Sequence, residues 1–242
     1  MKIRWLMMLL AFVMLFSAAM ADLEEFADFT HRHGDRTVKK VAITVDDCYE
    51  IDKVEDIIAL CEQYQVKVTF FPIGKALKYA DAPVWQRAVS AGCEIGNHSW
   101  GHTDLTKLSD RDNRFQMLRT QQKIDSLLEY HYPMQVLRPP LGLMSRQVAA
   151  AIEPIGYMAA VKWDVDTTDA RKAFKAVENG SILLFHARKA DVKCLETLIP
   201  QLLQEGYELV TTSELLDLPP IATSTDLYVY DSSHADDPTL LQ

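Results

Sequence analysis

The sequence predicts one α/β domain whose mostly parallel sheet closes toward a barrel of about seven strands. Three observations lead there. Short apolar segments alternate with helical ones from Val41 to Leu216. No fixed-period repeat or low-complexity linker interrupts them. The polar residues best suited to chemistry recur just past the ends of the apolar segments, which in a parallel barrel is the rim where active sites assemble. A chain of 242 residues suits one sizeable domain.

Residues 1–21 read as an export signal. Lys2 and Arg4 precede an apolar run over 6–16, and Ala19-Met20-Ala21 offers a small-x-small cleavage site. The run is short for a membrane span, so the mature chain is expected to be secreted or periplasmic, with no membrane contact beyond that signal. Residues 22–40 form a polar lead-in whose His31-Arg32-His33 reads as a solvated loop. Strand one is the buried run 41–45, followed by a helix over 54–64 and strand two over 66–71. Asp81 is the expected N-cap of a helix that Gly92 ends. Strand three covers 93–97, a long helix 111–130, strand four 134–137 and a Ser145-capped helix runs to 152. Strand five is 157–161, a short helix spans 173–178, and strand six is 181–185. A helix over 192–205, strand seven over 208–210 and a last helix capped by Thr212 or Ser213 complete the domain, 41–218. Residues 219–242 turn polar after Pro219-Pro220 and read as a loose, irregular tail.

Acidic residues outnumber basic ones, 34 to 25, for a formal net charge of −9. No basic stripe stands out, which argues against nucleic acid as a partner. The four cysteines, Cys48, Cys61, Cys93 and Cys194, allow three pairings, and nothing in their spacing selects one. A domain of this size buries a core without disulfides. A monomer is expected.

The central stretch is Gly96-Asn97-His98-Ser99-Trp100-Gly101-His102, in which two imidazoles four positions apart can reach one metal ion. Asp46 and Asp47 close strand one. Asp47 with His98 and His102 offers one oxygen and two nitrogens, a fitting set of ligands for zinc, or for cobalt or another divalent ion, with a position left open. Asp46 is then free to act as a base on metal-activated water. Arg138 follows strand four and can hold a carboxylate in bidentate fashion. His186 ends strand six, and a carboxylate from the loop after strand five, such as Asp169, would raise its pKa and make it a general acid. Trp100 and Trp163 offer faces for a sugar or for simple packing.

Taken together, these residues resemble the polysaccharide deacetylase family, the NodB-homology carbohydrate esterases. Thr44-Val45-Asp46-Asp47-Cys48 is similar to the family's first motif, in which the first Asp is the base and the second a metal ligand. His98-Ser99-Trp100-Gly101-His102 matches the second. Arg138-Pro139-Pro140-Leu141-Gly142 is similar to the third, which implies that Arg138 holds the base and that the Leu141 N–H helps stabilise an oxyanion. The segment from Trp163 to Asp169 looks like the fourth, whose final Asp tunes the acid, and Leu184-Phe185-His186 matches the fifth, with His186 the acid. The resemblance implies a deformed (β/α) barrel and metal-dependent hydrolysis of N- or O-acetyl groups on a glycan, and N-acetyl hydrolysis is the expected reaction. Three positions depart from the pattern: Cys48 stands for Gly, Leu141 for Tyr and Ala170 for Trp. An O-acetyl glycan esterase and a non-catalytic glycan-binding module remain the alternatives.

Overall fold

The computed structural model describes residues 29–226 and 233–237. The expected export signal lies outside them, as does the start of the lead-in. No helix among the described residues is long and apolar enough to cross a membrane. The first half of the chain runs β1 (Thr30–His31), β2 (Lys40–Asp47), α1 (Ile51–Tyr64), β3 (Thr69–Pro72), α2 (Ala82–Ser90), β4 (Glu94–Ile95) and α3 (Asp110–Leu128). It continues through β5 (Val136–Leu137), α4 (Arg146–Ile152), β6 (Ala159–Val161), β7 (Val165–Asp166) and α5 (Ala170–Ala176). Then come β8 (Ile182–His186), α6 (Lys189–Gln204), β9 (Glu208–Leu209), α7 (Thr212–Leu215) and α8 (Ser233–Asp236).

All pairings between these strands are parallel. β2 is central, with β3 then β4 on one side and β8 then β7 on the other, while β9 joins its first residues. A second sheet runs β1-β6-β5, and the parallel bridge between Asn97 and Leu137 stitches it to the β4 side. A bridge from His33 to Ser181 ties the lead-in to the foot of β8. The outcome is a deformed (β/α) barrel.

β2 shows how the sequence builds it. Successive side chains of a strand point to opposite faces. Val41, Ile43 and Val45 join the main core between sheet and helices, whereas Ala42 joins a smaller inner cluster with Phe71, Val136, Val161 and Ile182. Thr44 and Asp46 share the parity of Ala42, so they carry their polar groups to the inside of the barrel. The helices cover the outer face, held by side-chain caps: Ser109 accepts from the Asp112 N–H and Ser145 from that of Val148.

All the expected strands form, and the structure adds two. The lead-in is not wholly irregular: Thr30 and His31 pair with β6. The loop after β6 re-enters the sheet as β7 beside β8. Both are two-residue strands, too short to leave a periodic signal. Asp81 sits at the N-cap of α2 without a side-chain capping bond. The last cap is Thr211, one residue earlier than expected, in a reciprocal capping box with Glu214. The tail reading is also corrected for the described part. Ser224 exchanges backbone hydrogen bonds with His131, Ala235 is buried, and Arg111 and Arg114 hold Asp236 and the Ala235 carbonyl. A polar tail docks here because its partners are polar too, which composition cannot reveal. All four cysteines are buried free thiols.

Trp85 of α2 is fully buried, its ring edge-on to Phe70 of β3 at 6.1 Å between centroids. Trp85→Ala is expected to cost about 3–5 kcal/mol, read as a lower urea midpoint with an unchanged slope.

Candidate metal and active site

In a regular strand Asp46 and Asp47 would point to opposite faces. The end of β2 avoids this. Asp47 has φ 66°, and the Cys48 N–H donates back to the Asp46 carbonyl at 2.8 Å, closing a γ-turn of the rare positive-φ kind. Both carboxylates therefore face His98, whose Nε2 lies 3.8 Å from Asp46 Oδ2 and 3.6 Å from Asp47 Oδ1. His102 Nε2 is 3.9 Å from the same Asp47 oxygen. One ligand atom from each of Asp47, His98 and His102 falls within 4.8 Å of the other two.

The loop carrying the histidines is pinned at each turn. Asn97 Oδ1 accepts from the Ser99 N–H, Ser99 Oγ from the His102 N–H, and Gln116 Oε1 from the Gly101 N–H. The His98 Nδ1 lies 2.7 Å from the Arg138 carbonyl, an acceptor, so that nitrogen carries the proton and Nε2 keeps its lone pair for a metal. Burial also holds the His98 pKa below the ordinary imidazole value, which favours the neutral, ligating form. The donor set thus fits a divalent ion.

Asp46 is held by a different partner. Arg138 is completely buried, and its Nη1 straddles both Asp46 oxygens at 3.1 Å. One nitrogen spans both oxygens, and Nη2 donates instead to Thr44 Oγ1 at 2.8 Å. That hydroxyl passes the contact on to the Leu183 carbonyl of β8. The rings of Phe71 and Trp163 flank the guanidinium at 4.9 and 5.3 Å. Trp163 is thereby engaged as a wall, and Gly142, at φ 67°, leaves it room: a Cβ there would come within 3.1 Å of the indole.

His186 stands opposite Asp46 in the β2–β8 register and is half-buried. Asp169 does not reach it. Its side chain instead caps α5 by accepting from the Lys172 N–H, and it makes no hydrogen bond or ion pair with His186 among the described residues. The carboxylate beside His186 is Asp191, buried in the first turn of α6, which accepts the His186 backbone N–H at 3.2 Å. Sequence reading passed over Asp191; an acid in the first turn after a strand-end histidine was the available signal. Arg188 was missed as well, and its Nη2 lies 3.7 Å from Asp47 Oδ2. Leu141, 64% exposed at φ 60°, sits on the rim in a tight turn.

Cys48 also has positive φ, 58°, a conformation that glycine adopts without strain. Its thiol is buried, donates to the Val45 carbonyl, and is pushed well up by burial and by the adjacent carboxylates. Its surroundings favour the neutral thiol, and it does not join Asp47, His98 and His102 in the group that could hold a metal.

The polysaccharide deacetylase family model matches residues 33–160, just over half of the chain. The chain belongs to the polysaccharide deacetylase family. The matched stretch holds Asp46, Asp47, His98, His102, Arg138 and Leu141, while Asp169 and His186 lie beyond it. A peptidoglycan-N-acetylglucosamine deacetylase of Listeria monocytogenes is 32% identical over 190 residues, covering 74% of this chain but 39% of that protein. Among solved structures, a mutant of a CE4-family pseudoenzyme with restored enzymatic activity superposes with a TM-score of 0.71 at 27% identity, covering 78% of this chain and 72% of that one. A peptidoglycan N-acetylglucosamine deacetylase gives 0.70 at 25% identity, covering 80% of this family member and 95% of the other.

Arg138→Leu leaves Asp46 buried without a counter-charge and is expected to cost about 3–5 kcal/mol. Adding Asp46→Asn removes that charge, and chemical denaturation should show the double variant to be the more stable of the two.

Proposed function

We propose that this family member is an exported, metal-dependent deacetylase that hydrolyses N-acetyl groups of a glycan to acetate and a free amino sugar. The observation that carries the reading is the division of labour between two adjacent carboxylates. Asp47 faces the two histidines, and Asp46 is held by Arg138 with His186 level with it on the next strand. A site that merely held a metal would have no use for the second pair.

Asp47, His98 and His102 would hold the ion, zinc by preference given two nitrogens, one oxygen and an open position, with cobalt or another divalent metal able to substitute. When bound, it supplies a Lewis acid that lowers the pKa of water and polarises the acetyl carbonyl. Asp46 takes a proton from the attacking water. Arg138 keeps that carboxylate oriented before attack. The Leu141 N–H faces the developing oxyanion. His186, its backbone anchored by Asp191, gives a proton to the leaving amine as the C–N bond breaks. Water and the amide are consumed, and acetate and amine are formed. Asp169 is left as the cap of α5. The relatives named as peptidoglycan deacetylases support a cell-wall glycan as substrate, and the apolar run near Met1 supports export.

Acetate release tests this on N-acetylglucosamine oligomers, peptidoglycan and acetylated xylan, with zinc, cobalt or a chelator. Asp47→Ala and His98→Ala are expected to lose both bound metal and activity. His186→Ala should keep its metal while acetate release slows by about 10²–10⁴-fold. Full turnover in the metal-ligand variants, or acetate from O-acetyl substrates alone, would overturn the proposal.

A further inference from the structure

Beside the site, α5 and α6 enclose an open groove with about 830 Å³ of space. Arg171, Lys172 and Lys175 line it from α5 and Lys193 from α6, against Asp169 as the one carboxylate in its wall. All four cations are exposed, and none makes an ion pair among the described residues. Asp169 caps α5 through one oxygen and offsets one of the four positive charges, so the cations remain in excess. In a chain of net charge −9, four unpaired cations across one groove oppose the general trend. Like charges this close repel, and a cleft lined with one sign of charge focuses its field on a counter-ion.

The groove also adjoins the site along the chain. Its α5 wall begins where the chain leaves β7, and its α6 wall begins three residues after His186. Just before α6, Arg188 Nη2 reaches to 3.7 Å from Asp47 Oδ2. Ala170, at the start of α5, also lines the groove.

We infer that this groove is a subsite for anionic substituents, carboxylate or phosphate ester, on the glycan strand whose acetyl group lies at the metal. The inference rests on the deacetylase reading for its substrate but not for its measurement. A guanidinium and three ammonium groups bind either anion, so the structure selects the charge and the experiment selects its source.

The test uses the full chain and an R171E/K175E/K193E variant, whose replaced side chains are exposed, with a charge-neutralising R171Q/K175Q/K193Q variant as a second. Binding is measured to N-acetylglucosamine hexamer and to a glycan of the same length bearing lactyl carboxylates on alternate sugars, at 50 and 500 mM salt. Wild type should prefer the anionic glycan, and the preference should collapse at high salt. The Glu variant should lose about tenfold or more in affinity for the anionic glycan, the Gln variant less, and neither should change on the neutral one. Equal affinity of wild type for the two glycans, or an equal loss on both, would overturn the subsite. Competition by poly(glycerol phosphate) identifies phosphate as the source, and its failure identifies carboxylate. Acetate release is followed in parallel. A groove-dependent binder that releases no acetate overturns the deacetylase reading alone, and acetate release without charge preference overturns the groove alone.

Discussion

Asp46 and Arg138 form an ion pair with almost no water around it, and the mouth of the barrel is arranged about that fact. A carboxylate taken out of water is costly unless a counter-charge and hydrogen bonds replace the hydration shell. Arg138 supplies the charge, and Thr44 and the two flanking rings fix the arginine in turn. The same residue acts through its backbone, since its carbonyl sets which nitrogen of His98 carries the proton. One position at the end of β5 thus orients the base with its side chain and a metal ligand with its main chain.

Backbone strain follows the same geography. Of the eight non-glycine residues with positive φ among the described residues, Gln65 and Glu129 end helices and Asp217 follows α7, whereas Asp47, Cys48, Ser99, His102 and Leu141 lie in the loops that build the site. Each such conformation costs on the order of 1–3 kcal/mol and persists because surrounding contacts hold it. At Asp47 the benefit is visible: the turn brings two neighbouring carboxylates to one face, which an extended strand forbids. The departure from glycine at Cys48 sits in the same turn. It adds strain and a buried neutral thiol and leaves the ligand set unchanged.

The main elements were legible because their signals are local. The run at 41–45, the helix cap at Ser145, and the two histidines four apart each show themselves within a few residues. What escaped was of two kinds. β1 and β7 are too short for periodicity, and their existence depends on neighbours already in place. Asp169 and Asp191 exchanged places beside His186 because both follow strand ends in polar segments. Only the position of α6 against β8 decides which carboxylate arrives there.

By itself the sequence determined the alternating α/β architecture, the family pattern and the identity of the residues at the barrel mouth. These depend on residue type and spacing, which physics reads over one turn or one strand. The tertiary structure alone decided how two adjacent aspartates come to share one face, which nitrogens of Arg138 are engaged and where unpaired cations gather beside the site. Those outcomes rest on contacts between segments far apart in the chain, such as Arg138 with Thr44 and Asp46 or α5 with α6. Their distances exist only once the barrel has closed.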